Sequence, residues 1–281
     1  MERRVGEPVD ELIELRGLRF HYREWAPSAP GAPDLVLLHG FTGHARSWDA
    51  FAEAMTDRYR VLTLDQRGRG ESGWASRDAY GTGEMVADLA AFVAALKLEV
   101  FSLLGLSMGG RVAMEYAGGR PAGLAALVIV DIGPEIETSG MGRIREGVAA
   151  RDTFDSPDEA FAAARAANPR PPEAHHRARI EANLMRTEDG RFTWRYDRAL
   201  RRGQGVRGFD VEAGWRACAA INVPTLLVRG ELSDILSPAI AARMIATIPD
   251  ARLVEMKGSG HSVPLDAPER FLEAAREFLK G

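Results

Sequence analysis

The chain has 281 residues, 46% hydrophobic and 27% charged, a length and balance that suit one α/β domain and exclude a disordered or fibrous protein. Its formal net charge of -4 leaves no basic field to gather phosphates, which argues against nucleic acid as a partner. The single cysteine, Cys218, excludes an internal disulfide and every multi-thiolate zinc or iron–sulfur site. No stretch approaches the roughly 18 apolar residues of a membrane span, and the opening MERRVGEPVDELIELRG holds no apolar signal core. A cytoplasmic protein without membrane contact is expected.

From Glu11 to Trp25 polar and apolar residues alternate around Gly17, the pattern of an antiparallel hairpin at a sheet edge. After the Pro/Gly-rich APSAPGAP come short apolar runs: LVLLHG at 35–40, VLTLD at 61–65, VFSLLG at 100–105, LVIVD at 127–131, TLLVRG at 225–230 and RLVEM at 252–256. Continuous apolar runs predict strands buried on both faces, as in a parallel sheet covered by helices. Between them, Met85, Leu89, Phe92, Val93 and Leu96 mark one face of a helix, and a final helix covers Phe271 to Leu279. Asp266 and Glu269 around Pro268 read as the capping box of that last helix.

Strand–helix alternation predicts an α/β fold with a mostly parallel central sheet flanked by helices. Some eighty residues from about Pro134 to Trp215, between LVIVD and TLLVRG, break the rhythm. They are rich in Ala, Arg and Glu, and too long for an unstructured connection, so residues 134–215 are expected to form an inserted helical cap, with 1–133 and 216–281 making the core domain. The cap carries fourteen arginines, a candidate reservoir for a substrate carboxylate, and fourteen acidic residues, a balance that favours a solvated, ion-paired surface. His175 and His176 lie on it; neighbours on a helix diverge by about 100°, so the pair predicts surface rather than a metal site.

The chemistry is carried by Gly105-Leu-Ser107-Met-Gly109, which follows VFSLLG and precedes a helical segment. A serine on such a strand-to-helix turn is exposed, and both glycines are needed where the backbone folds sharply. A serine hydroxyl needs a base, and His261, in KGSGHSVP between the last strand and the last helix, follows Ser107 in the order this architecture uses. A carboxylate must fix the histidine tautomer. Asp234, after TLLVRG, is the preferred candidate and Asp131, at the end of LVIVD, the alternative; both lie at carboxyl ends of strands, where open α/β sheets bind ligands. Two N–H donors must meet the oxyanion, and those of Phe41 and Met108 are the candidates. His39 is expected to pin the Phe41 loop rather than to react.

These segments resemble the α/β-hydrolase superfamily, in particular its lid-bearing, serine esterase-like members. HGFTGHARSW resembles the family's oxyanion loop, DQRGRGES at 65–72 its strand-four turn, GLSMGG its elbow and GSGH its histidine loop. The resemblance implies hydrolysis of a carboxylic ester or lactone through an acyl-enzyme, with no cofactor and no metal, and with a small acyl substrate and water as partners. A serine at the elbow argues against the haloalkane dehalogenases and epoxide hydrolases, which use aspartate there. Some members place the acid after the strand that ends at Asp131. The family leaves two other readings open: cleavage of an amide or carbon–carbon bond in a carboxylate-bearing substrate, and a ligand receptor with slow turnover. The cap is expected to gate entry, with Trp48 and Trp194, beside Phe192 and Tyr196, as candidate substrate-binding residues. Self-association is left open.

Overall fold

The computed structural model describes residues 6–137, 140, 142, 146, 150–202 and 210–280. Most of 138–149 and all of 203–209, both within the expected cap, lie outside the described residues, as do 1–5.

The predicted hairpin forms β1 (Pro8–Leu15) and β2 (Leu18–Trp25), paired antiparallel from Pro8 against Trp25 to Leu15 against Leu18. The apolar runs become β3 (Asp34–Leu38), β4 (Arg60–Leu64), β5 (Phe101–Leu106) and β6 (Leu124–Val130). The helices among them are α1 (Asp49–Met55), α2 (Thr82–Ala95) and α3 (Met108–Gly118). In the cap come β7 (Thr153–Phe154), α4 (Pro157–Ala167), α5 (Glu173–Ala182), β8 (Leu184–Arg186) and β9 (Phe192–Trp194). The chain ends with α6 (Val211–Ala220), β10 (Thr225–Gly230), α7 (Pro238–Thr247), β11 (Ala251–Met256) and α8 (Pro268–Phe278).

Eight strands make one sheet in the order β1-β2-β4-β3-β5-β6-β10-β11. The hairpin joins antiparallel through β2 and β4, and the pairs from β4 to β11 are parallel. Successive residues of one strand bury against opposite layers: Val36 and Leu38 pack with α2 and α3, Leu35 and Leu37 with α1 and α8. Burial on both faces is why the runs of β3 to β6 and β10 contain no polar alternation; RLVEM, expected to be buried likewise, lies on the edge strand β11, where Leu253 is exposed. It also leaves loops only at the strand ends, and the loops after β3, β5, β6, β10 and β11 gather at the carboxyl edge.

The cap differs from the all-helical expectation. Alongside α4 and α5 it holds a three-stranded antiparallel sheet in the order β7-β9-β8, with its own small core of Phe154, Ala160, Phe161, Ile180 and Leu184. Strands of two or three residues are too short to show a period in sequence. The expected boundary at 215 falls inside α6, whose Cys218 joins the main core and touches Met114 at 3.3 Å. Arg111, buried on α3, ties down the start and the end of the cap together: one guanidinium nitrogen donates to Pro134 O at 2.8 Å and another to Asp210 O at 3.1 Å. No helix among the described residues is long and apolar enough to cross a membrane.

Candidate active site

Ser107 stands alone between β5 and α3 with φ 54° and ψ -117°. This conformation is costly for a residue with a side chain, on the order of 1–3 kcal/mol, and persists only where the surroundings impose it. The imposition is visible on both sides. A Cβ at Gly105 would come within 2.2 Å of Gly109 O, and one at Gly109 within 2.5 Å of Leu38 O, so the turn closes only with glycine at both positions. Ser107 N–H donates to Val130 O at 2.8 Å, fixing the serine to the neighbouring strand.

The Ser107 hydroxyl donates to His261 Nε2 across 2.9 Å, and His261 Nδ1 meets Asp131 Oδ2 at 2.7 Å. A carboxylate accepts only, so the ring carries its proton on Nδ1 and leaves Nε2 free to take one from the serine. Asp131 has no exposed surface, whereas the imidazole keeps about a quarter of its own. The acid is tightly held: Oδ1 accepts from Gly230 N–H at 2.9 Å and Oδ2 also accepts the Ser233 hydroxyl.

The placement corrects the preference for Asp234. Strands β6 and β10 are adjacent and parallel, so both aspartates rise at one edge. Asp131 follows β6 directly, its N–H bonded to Val228 O and its φ at 51°, which aims the side chain at His261. Asp234 lies four positions beyond the end of β10, past a turn closed by Ser233 N–H on Gly230 O.

Behind the serine, the loop after β3 brings Gly40 close; a Cβ there would lie 3.5 Å from Ser107 Cβ. Among the described residues neither the Phe41 nor the Met108 N–H donates to a backbone acceptor, and Met108 opens α3, where free N–H groups and the helix dipole favour an anion. His39 pins this loop as expected. Its Nδ1–H donates to Gly40 O at 2.8 Å and its Nε2 accepts Gln66 N–H at 3.0 Å, which requires a neutral ring. Burial pushes the pKa of His39 down to about 4 and that of nearby His44 to about 3. Arg69, buried beneath the loop, donates to Phe41 O at 3.3 Å and lies 5.1 Å from the Phe41 ring centre; burial lowers its pKa to about 10.

Other expectations fall elsewhere. Trp48 is not a pocket wall: it is 2% exposed and packs edge-on against Phe51 at 5.8 Å, in the core between the sheet, α1 and α8. Trp194 bridges the cap core, edge-on to Phe154 at 5.1 Å, and the cluster of Tyr80, Tyr196 and Phe41 beside the oxyanion loop. His176 is buried against Phe161, not solvated, although its neighbour His175 is exposed. Asp266 caps no helix. Its two oxygens accept from Gly260 N–H and from the Asn168 amide, each at 2.8 Å, joining the histidine loop to the cap. Neither Ser233 nor Asp266 announces these roles in sequence, because both act through contacts that only the folded loops create.

The chain matches the alpha/beta hydrolase family over residues 35–274. It is 30% identical to the 3-hydroxybutyrate-oligomer hydrolase of Cupriavidus necator, over 96% of each chain. It is 29% identical to the N-formylmaleamate deformylase of Pseudomonas putida, over 95% of each. Among solved structures, an alpha/beta hydrolase from Novosphingobium aromaticivorans superposes with a TM-score of 0.87 at 30% identity, over 98% of both chains. With the elbow, the parallel sheet and this match in agreement, the chain belongs to the alpha/beta hydrolase family.

Proposed function

We propose that this hydrolase cleaves a carboxylic ester or lactone through an acyl-enzyme on Ser107. The observation that carries the reading is the relay from the Ser107 hydroxyl to His261 Nε2 at 2.9 Å and from His261 Nδ1 to Asp131 at 2.7 Å. Ser107 Oγ attacks the acyl carbon while its proton passes to His261 Nε2, and Asp131 stabilises the imidazolium. The N–H groups of Phe41 and Met108 receive the oxyanion. Collapse expels the alcohol, which leaves with the proton from His261. Water then gives a proton to His261, its hydroxide attacks the acyl carbon, and the carboxylic acid departs as Ser107 recovers its proton.

The Cupriavidus necator relative, named for hydrolysis of 3-hydroxybutyrate oligomers, supports an ester substrate. The Pseudomonas putida relative, named as a deformylase, favours a second reading in which the same residues open an amide. A serine-directed fluorophosphonate, a panel of p-nitrophenyl esters and the matching p-nitroanilides test both. Mass addition at Ser107 that is lost in Ser107→Ala, with ester turnover above roughly 1 s⁻¹, is the expected result. Faster anilide than ester cleavage would favour the amide, labelling without turnover of either would point to a receptor, and no labelling would refute the serine mechanism.

A further inference from the structure

The helix α5 carries EAHHRARIEA, and one face of it is turned inward: His176, Ile180 and the following Asn183 are all buried, spaced by three or four residues. That face leans on the oxyanion loop. The Asn183 amide donates to Thr42 O at 2.9 Å. Arg179 lies on the same face, one turn before Asn183, which donates its N–H to Arg179 O. Its side chain is enclosed by protein yet keeps part of its surface accessible, as a group lining a crevice does.

Several other described arginines of this region have an evident use. Arg151 pairs with Glu159, Arg177 with Asp158 and Arg191 with Asp189, while Arg165 and Arg195 bond backbone carbonyls. Among the described residues the Arg179 guanidinium has neither a hydrogen-bond partner nor an ion pair. The carboxylate that acts on it is Asp266, which makes no ion pair with it and whose two oxygens are engaged by Gly260 and Asn168. Its own charge reaches His39 and His44 on one side and Asp266 on the other, which are the two loops that flank Ser107. A guanidinium that keeps some solvent access but has no partner within the fold, on the face of α5 that leans on the oxyanion loop, is free to receive an anion. A guanidinium offers a planar fork that fits a carboxylate in two parallel hydrogen bonds.

We propose that Arg179 is the anion-recognition residue of the cleft, and that the preferred substrate carries a carboxylate in addition to the acyl bond that is cut. The inference rests on the serine hydrolase reading and narrows it to an anionic substrate. Bound carboxylate would supply the missing counter-charge between the cap and the oxyanion loop and so orient the acyl carbon over Ser107.

The test compares p-nitrophenyl hemisuccinate with p-nitrophenyl butyrate for a carboxylate on the acyl side, and 4-acetoxybenzoate with its methyl ester for one on the leaving group. In the native protein one charged ester is expected to exceed its neutral partner about 10- to 100-fold in kcat/KM, the range of a charge-assisted hydrogen bond. Arg179→Met should bring that ratio close to one, and Arg179→Lys should restore part of it. Dissociation constants of the same esters for Ser107→Ala, with and without Arg179→Met, give the ratio where turnover is slow. The melting temperature of Arg179→Met should not fall, since the change removes an uncompensated charge. A ratio that survives in Arg179→Met, no preference for either charged ester in the native protein, or equal losses on charged and neutral esters with a lowered melting temperature would each overturn the assignment. Phosphonate labelling separates the two failures: labelled Ser107 without a carboxylate preference refutes the anion site alone, and unlabelled Ser107 refutes the mechanism beneath it.

Discussion

The Ser233 hydroxyl donates to the Asp131 oxygen that also faces His261 Nδ1. With Gly230 N–H on the other oxygen, the carboxylate is surrounded by donors and presents only acceptors to them. Asn at this position would turn an NH2 toward one of those donors and push the imidazole into the wrong tautomer. Asp131→Asn is expected to lower kcat by about 10⁴ with the fold intact, while Asp234→Asn stays near the native rate. Steady-state kinetics of the two variants decide which aspartate serves the histidine.

His39 makes stability depend on acid. Its folded pKa of about 4 lies below the ordinary value of 6.5, so the unfolded chain takes up the proton first as pH falls. The stabilisation it gives is therefore complete above about pH 6.5, is lost on the way down to pH 4, and amounts to about 3 kcal/mol. Urea unfolding between pH 7 and pH 4.5 should show a steep decline in the native protein and a shallower one in His39→Gln. Equal slopes would remove His39 from the account.

Tyr80 joins the cap to the core. Its hydroxyl donates to Asp197 at 2.5 Å and accepts Ala75 N–H at 2.8 Å. Tyr80→Phe strips a donor from a buried carboxylate and an acceptor from a backbone N–H, with an expected cost of about 1–3 kcal/mol. The urea midpoint measures it.

Trp48→Ala should cost about 3–5 kcal/mol in stability, the range for emptying a buried aromatic site. Because the indole packs on Phe51 and Phe271 and not on the cleft, KM measured below the unfolding transition should match that of the native protein. A raised KM at constant stability would return Trp48 to the pocket.

The sheet was legible because burial on both faces leaves a direct trace in the chain, an apolar run such as Leu35 to Leu38 closed by His39 and Gly40. Ser107 was legible for a related reason: a strained turn demands glycines at fixed offsets. The choice between Asp131 and Asp234 was not, because it depends on strand register and on how far a loop travels after β10, and neither quantity is written in a local pattern. Trp48 shows the same limit from another side. A tryptophan eight residues after Gly40 fits pocket or core equally well until the direction of its ring is fixed by Phe271, more than two hundred residues away.

Through Arg111 the point where the chain leaves the sheet and the point where it returns share one guanidinium. An excursion that begins and finishes in the same place asks nothing of the strands below it. The two ends of the inserted segment are thus hung from one buried hook, while Asn168, Asn183 and Asp197 fasten its middle to the loops around Ser107.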